Sequence, residues 1–315
     1  MKKSENMNCD SIYQLNFQKQ NDLFHFQDHL IMLILDDNYI NQTINLMLSI
    51  VKNQKRTVSF YCVSLSLSEK NIQLLLDLGF GVQVRVYRFS YSVDTGHWPP
   101  NILLRVFSPW LLEDQVEKIL YLDGDMICCG SLDELFELDT PWIAMGNEIS
   151  GNIFVENKQG KKRFGEKYPT QVYCNSGVVV YNLKNIRANY DFENVFLECC
   201  RICSEYYCPD QDFLNIFFLG RITYFNGLRF NFQAYELKGN VLYGYALENS
   251  RIIHFSAAKP WKDTGDRDIM RLYLKYTEYP PMRDLVKKAY RNSILKSPYR
   301  AIYKFGSIIK RAIVK

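Results

Sequence analysis

Three Asp-x-Asp spacings occur in the chain, at Asp123/Asp125, Asp210/Asp212 and Asp266/Asp268. On extended backbone, residues two apart project to the same side, so such a pair can offer hard oxygen ligands to one cation. The spacing alone is weak in a chain with 34 acidic residues, and context has to separate the three. Asp123 and Asp125 close the apolar run Ile119-Leu120-Tyr121-Leu122, which reads as a buried strand with two carboxylates at its C-terminal edge. Asp210 and Asp212 follow Cys208-Pro209 at a loop-to-helix junction, where an N-cap is the ordinary use of an acid. Asp266 and Asp268 read as a solvated loop.

Other strand ends add to the first pair. The first confident strand, Leu30 to Leu35, stops at Asp36-Asp37-Asn38, Asn175 lies in a polar break within Val172 to Tyr181, and His254, followed by Lys259, ends a strand over Arg251–Phe255. Carboxylates with one imidazole suit Mn²⁺ or Mg²⁺ better than structural zinc, which prefers thiolates. Such a cation binds diphosphates and neutralises charge on a leaving phosphate. No Gly-x-x-x-x-Gly-Lys-Ser/Thr loop occurs, and no Gly-x-Gly-x-x-Gly follows the first strand, which argues against a P-loop NTPase or an ordinary dinucleotide dehydrogenase.

The elements around these residues alternate. After Leu30–Leu35, a helix is expected from Ile40 to Val51, capped by Asp37 or Asn38, then a strand over Thr57–Val63, a helix over Glu69–Leu78 closed by Gly79, and a strand over Val82–Tyr87. That β-α-β-α-β order predicts an α/β protein with a mostly parallel sheet, helices on both faces, and ligands at the C-terminal strand ends. Asn101 to Leu112 reads as an apolar helix interrupted at Pro109, with Arg105 its one charge. Residues 147–171 read as a mobile surface loop and 184–207 as one long helix.

With 315 residues and 47% apolar content, the chain can bury a large core. Its net charge of +4 is unevenly placed: residues 282–315 hold ten Lys/Arg against one acid, whereas the rest carries 28 basic and 33 acidic groups. The N-terminus lacks the apolar stretch of a signal peptide, and no run reaches the roughly 18 apolar residues of a membrane span. Nine cysteines without an export signal read as reduced cytosolic thiols, and the cluster Cys199, Cys200, Cys203, Cys208 as buried thiols without zinc.

Taken together, Leu35-Asp36-Asp37-Asn38-Tyr39, Arg105, Leu120 to Asp125, Gly130-Ser131-Leu132-Asp133-Glu134-Leu135, Asn175-Ser176-Gly177-Val178, Asp210-Gln211-Asp212, and His254 with Lys259-Pro260-Trp261 resemble glycosyltransferase family 8, the family of bacterial lipopolysaccharide galactosyl- and glucosyltransferases and the glycogenins. The resemblance spans about residues 28 to 262 and implies a GT-A fold, Mn²⁺ (or Mg²⁺) dependence, and a UDP-glucose or UDP-galactose donor whose hexose is transferred with retention to a glycan or glycolipid acceptor. Carried over, it implies Asp36 and Asn38 at the uridine, Arg105 over the donor, Asp123, Asp125 and His254 on the metal, and Asp123 also near the donor ribose or sugar. It further implies Lys259 at the diphosphate, and Asn175, Asp210 and Gln211 around the donor sugar with no strong carboxylate nucleophile there. One departure is visible: the segment between His254 and Lys259 lacks the family's usual Gly and is one residue short.

The expected organisation is an N-terminal extension (1–27), a GT-A domain (28–281) and a basic amphipathic helical tail (282–315). In that tail, Ile294, Leu295, Tyr299, Ile302, Tyr303, Phe305, Ile308, Ile309, Ile313 and Val314 interleave with the cations, which predicts binding to an anionic membrane surface rather than to nucleic acid, for which no motif is present. The expected location is therefore cytoplasmic, at the inner face of the membrane. The competing readings are a non-catalytic sugar-nucleotide-binding scaffold and a metal-dependent phosphohydrolase.

Overall fold

The computed structural model describes residues 12–17, 24–26, 28–89, 99–147, 172–205, 208–234, 239, 243–256, 259–262 and 266–295. The strands, in chain order, are β1 (Ile12–Phe17), β2 (His29–Ile34), β3 (Val58–Ser64), β4 (Val82–Phe89), β5 (Lys118–Leu122), β6 (Met126–Cys128), β7 (Ile143–Asn147), β8 (Val178–Asn182), β9 (Ile222–Asn226), β10 (Phe232–Gln233) and β11 (Ile252–His254). The helices are α1 (Ile40–Asn53), α2 (Glu69–Leu76), α3 (Leu104–Leu111), α4 (Asp133–Glu137), α5 (Leu183–Asn189), α6 (Phe192–Glu205), α7 (Pro209–Phe217), α8 (Gly227–Phe230), α9 (Tyr243–Asn249), α10 (Arg267–Tyr276) and α11 (Pro280–Leu295).

Eight strands form the main sheet in the order β1-β4-β3-β2-β5-β8-β7-β9. The run β4-β3-β2-β5 and the pair β7-β9 are parallel, whereas β1 on β4, β5 on β8 and β7 on β8 are antiparallel. The expected α/β architecture with a mostly parallel sheet is therefore present, and β1 extends it from a segment that the sequence pattern leaves without structure. Alternate residues serve opposite faces. Ile31, Leu33, Leu120 and Leu122 join a core under α1, α2 and α4, and Met32, Ile119, Tyr121 and Tyr181 join one under α3, α5, α6 and α7. Burial on both faces is why β2 and β5 read as unbroken apolar runs.

A second sheet, β10-β11-β6, branches off where the chain leaves β5. Its core unites Ile127, Phe255, Trp261 and Tyr273 with Met282, Val286 and Ala289 of α11. The 281/282 boundary drawn from charge thus falls inside a helix whose inner face is packed into the domain. Residues 296–315, the rest of the basic tail, and 148–171 of the loop expected over 147–171 lie outside the described residues, and Asn147 is the last residue of β7.

Local chemistry explains two differences from expectation and one agreement. Asp36, rather than Asp37 or Asn38, turns the chain into α1: its Oδ1 accepts from Asn38 N at 2.9 Å and Tyr39 N at 3.2 Å. Asp37 instead accepts from Ser68 N, Ser68 Oγ and Asn71 Nδ2, tying down the start of α2. The expected single helix over 184–207 is two, because Tyr190 is extended and Asp191 Oδ1 accepts from Asn194 N at 2.8 Å to open α6. Gly79, just after α2, has φ of +79°, the left-handed conformation that glycine adopts without a Cβ penalty.

Candidate active site

Asp123-Gly124-Asp125 is the turn at which the chain passes from β5 in the main sheet to β6 in the small one. Two backbone contacts hold it: Asp123 N donates to Gly177 O at 2.9 Å, and Phe255 N donates to Asp125 O at 3.0 Å. The first follows from β5 pairing with β8, which begins at Val178 opposite Leu122. The second follows from β11 pairing with β6, which sets His254 opposite Met126. Two strand registers therefore bring Asn175-Ser176-Gly177 and His254 to the two carboxylates, residues far apart in sequence.

The turn floors a cleft of about 370 Å³ lined also by Asp36, Tyr39, Asn101, Arg105, Asn175, Ser176, Asp210, Gln211 and Lys259. His254 Nε2 lies 3.2 Å from Asp125 Oδ1 and 3.8 Å from Asp123 Oδ2. One ligand atom from each of Asp123, Asp125 and His254 can be chosen so that all lie within 4.8 Å of one another. This grouping of two oxygens and one nitrogen fits a hard divalent cation. The Cys199, Cys200 and Cys208 thiols contribute to no such group among the described residues.

The charges in the site are shared among several partners. Lys259 Nζ contacts Asp125 Oδ2 and also donates to Phe255 O at 3.0 Å and Ser256 O at 2.8 Å, so the shortened segment after His254 still carries the ammonium to the carboxylates. Burial would raise the Asp125 carboxyl, but Lys259 and His254 beside it hold it far below the usual carboxylate range. Burial would lower His254; the charge of Asp125 and its hydrogen bond raise it above 6.5. Arg105, only 7% exposed, reaches Asp123 Oδ1 at 2.9 Å and Asp210 Oδ2 at 3.1 Å, contacts Ser176 O and Oγ, and stacks on Tyr121 with Cζ 4.6 Å from the ring centroid.

On the opposite wall, Gln211 Oε1 accepts from Asn175 Nδ2 at 3.0 Å and from Ser176 N at 3.2 Å. Asp210 Oδ2 accepts from Ser176 Oγ at 2.9 Å. The acid pair of α7 is divided in role: Asp210 faces the cleft, whereas Asp212 is fully buried and accepts from Tyr173 Oη and Cys208 N. Asp266, read as part of a solvated loop, is the N-cap of α10 and accepts from Ile269 N at 3.1 Å.

Of the ten residues singled out from sequence, Asp36, Arg105, Asp123, Asp125, Asn175, Asp210, Gln211, His254 and Lys259 line the cleft; Asn38 is exposed and does not. Ser176, Tyr121 and Asn231 belong to the same network and were not singled out. Tyr121 was legible, because it lies two residues before Asp123 on a strand, and its hydroxyl contacts Asp123 Oδ1. No spacing links Asn231 to the site.

Gly177 is demanded by close approach. A Cβ there would stand 2.5 Å from His254 Cε1 and 2.9 Å from Asn175 Oδ1. Gly177→Ala should therefore push the buried imidazole away from the carboxylates. Mn²⁺ affinity, read by titration against the free-ion EPR signal, is expected to drop about tenfold or more, with ~1–3 kcal/mol lost from stability.

The family model described as Glycosyl transferase family 8 matches residues 30–265. A lipopolysaccharide 1,2-glucosyltransferase of Escherichia coli is 23% identical over 286 residues, 86% of this chain and 83% of that protein. A lipopolysaccharide 1,3-galactosyltransferase of Salmonella typhimurium is 24% identical over 224 residues, 64% and 63% of the two chains. Among solved structures, the galactosyltransferase LgtC in complex with donor and acceptor sugar analogues superposes with a TM-score of 0.59 at 21% identity, covering 82% of this chain and 95% of that one. The bifunctional glycosyltransferase WbbM gives 0.62 at 18% identity, covering 86% and 52%. The shared architecture is the GT-A fold.

Proposed function

The chain belongs to glycosyltransferase family 8, and from that premise we propose that it moves a hexose, glucose or galactose, from a UDP-sugar to a lipopolysaccharide or related surface glycan, with retention and with Mn²⁺. The observation that carries this reading is the Asp123–Asp125–His254 grouping at the floor of the cleft. Asp123, Asp125 and His254 are the residues that would hold the cation, whose contribution is to bind the diphosphate and stabilise the departing UDP. Lys259, on the same rim, adds a second positive charge for the diphosphate.

The opposite wall favours a front-face displacement. A double displacement needs a side-chain oxygen free to attack the anomeric carbon. Asp210 is bound through Oδ2 to Arg105 and Ser176, a charge pairing that weakens its other oxygen as a nucleophile, and the Gln211 oxygen is held by Asn175 and the Ser176 amide. Gln211 is left with its NH₂ group to donate. Asn175, Asp210 and Gln211 therefore orient the donor sugar, while the leaving phosphate accepts the proton of the acceptor hydroxyl. Asp36 serves the uridine end from the cleft rim.

Release of UDP from a panel of UDP-sugars, with each divalent metal, tests this assignment. UDP-glucose or UDP-galactose should be turned over with Mn²⁺. Absence of release from every donor despite nucleotide binding favours the scaffold reading, and free phosphate in place of UDP favours a phosphohydrolase.

The raised His254 gives a pH dependence of defined sign. A cation requires the neutral imidazole, so Mn²⁺ affinity should rise as pH passes upward through the His254 pKa, which lies above 6.5. Stability of the metal-free protein should move oppositely. The imidazolium–Asp125 pairing is fully present below 6.5 and is lost as pH rises through the folded-state value. Paired Mn²⁺ titrations and urea melts between pH 6 and 9 would reveal the two opposed trends.

The domain runs through α11, and the proposed membrane contact is the outer face of that helix with residues 296–315. Leu285, Ile294 and Leu295 are exposed on α11 beside Arg283, Lys287, Lys288 and Arg291. Among the described residues no helix is long and apolar enough to cross a membrane. Each basic residue near anionic headgroups contributes about 1 kcal/mol, and a lipid-linked acceptor places the enzyme at the cytoplasmic face. Because α11 is part of the core, the informative truncation is after Leu295: it should shift the protein from vesicles containing phosphatidylglycerol to the supernatant without altering UDP release from free donor. Equal sedimentation of both proteins would contradict the tail's role.

A further inference from the structure

Asn231 is 1% exposed, uncharged, and follows the four-residue helix α8. Its side chain stands between the two halves of the cleft, with Oδ1 2.8 Å from His254 Nδ1 and Nδ2 3.0 Å from Asn175 Oδ1. Backbone amides fix which end of each group faces which, because an N–H can only donate. Gly177 N donates to Asn175 Oδ1 at 2.9 Å, so that oxygen is an acceptor. Ser176 N likewise fixes Gln211 Oε1 as an acceptor, which Asn175 meets with its NH₂. The Asn231 group facing Asn175 Oδ1 must then be its NH₂, and its oxygen must face His254. An acceptor at Nδ1 requires the hydrogen to be there, and once the ring is neutral this leaves Nε2 with its lone pair. Nε2 is the atom directed at Asp123 and Asp125.

We propose that Asn231 is the positioning residue of the metal site: it holds the His254 imidazole as the Nδ1–H tautomer with Nε2 aimed at the carboxylate pair, and through Asn175 it ties that ring to the Gln211 wall. The proposal rests on the reading of Asp123, Asp125 and His254 as metal ligands. A ring lacking this partner is free to rotate or to carry its proton on Nε2, where it blocks the cation. Partners of this kind are what orient a ligating histidine, and their loss commonly lowers metal affinity 10–100-fold.

The test is Mn²⁺ binding without nucleotide, by EPR of the free ion, on the full chain and on Asn231→Ala and Asn231→Asp. The Ala variant should bind about 10–100-fold more weakly. The Asp variant still accepts from Nδ1–H and should recover most of that affinity, yet release UDP more slowly than the unmodified chain because it cannot donate to Asn175. A role confined to packing predicts equal losses for both variants, and that result, or unchanged affinity in the Ala variant, overturns the proposal. In parallel, ¹⁵N NMR of His254 in the metal-free protein, at a pH above its titration, should show hydrogen on Nδ1. Hydrogen on Nε2 overturns the proposal even where a variant does not fold. Failure of the unmodified protein to bind Mn²⁺ rejects the metal assignment instead, while the NMR result still decides whether Asn231 sets the tautomer.

Discussion

Asp125→Asn should lower metal-dependent sugar transfer by roughly 10²–10³-fold, with the deficit in the kcat of the folded protein. Asn preserves the shape of the side chain and removes the charge facing both His254 Nε2 and Lys259 Nζ. The cation loses an anionic ligand, and the buried imidazole loses the charge that raises its pKa. A stability cost accompanies the change. The Asp125 carboxyl sits far below its ordinary range, so its contribution is fully present at neutral pH and is lost only as pH falls through the folded-state value. Removing one partner of a buried ion pair costs roughly 3–5 kcal/mol. The lower end is expected here, because His254 can shed its proton and Lys259 can turn towards solvent. UDP release at saturating UDP-sugar and Mn²⁺, alongside a urea melt, separates the two effects.

Arg105→Met should have the larger effect on the fold itself. Among the described residues, Arg105 is the one cation that reaches both Asp123 and Asp210, and burial, which would lower its pKa, is overcome by Asp123, Tyr121 and Asp210, which raise it. Methionine fills the space over Tyr121 but leaves two carboxylates and Ser176 without their partner. A loss of roughly 3–5 kcal/mol is expected in urea unfolding. Arg105→Lys should recover little of it, because one ammonium cannot reproduce a planar fork that reaches Asp123 with one arm and Asp210 and Ser176 with the other. Recovery of full stability in the Lys variant would show that charge alone suffices.

Most of what positions the Asp123–Asp125 side of the cleft is legible in the sequence because it depends on strand ends. The unbroken apolar runs of β2 and β5 announce strands buried on both faces, and the residues that follow them must lie at the sheet's C-terminal edge. Asp123 and Asp125 follow from that logic, and His254 from the end of a separate short strand, β11, in the small sheet. What stays hidden depends on register between distant segments. Nothing in Val172–Asn182 shows that pairing starts only at Val178, leaving Asn175-Ser176-Gly177 as a turn that aims two backbone amides at side chains. Asn231 is hidden for the same reason, since its partners lie 23 and 56 residues away. The sequence offers Asp37 or Asn38 as the cap of α1; the approach of α2 claims Asp37, and the turn falls to Asp36. Helical periodicity runs through Tyr190 and Asp191, so the break between α5 and α6 appears only once Tyr190 is seen packed against Trp142 and Phe217.

If Asp123, Asp125 and His254 hold a divalent cation, that cation and Lys259 together clamp a nucleotide diphosphate. Isothermal titration of UDP into the protein, with and without Mn²⁺, tests it most directly. The expected result is UDP binding that Mn²⁺ strengthens at least tenfold, about 1.4 kcal/mol, with that gain abolished by Asp125→Asn. UDP affinity that is the same with and without Mn²⁺, or a gain that survives in Asp125→Asn, would rule out a cation held by these residues.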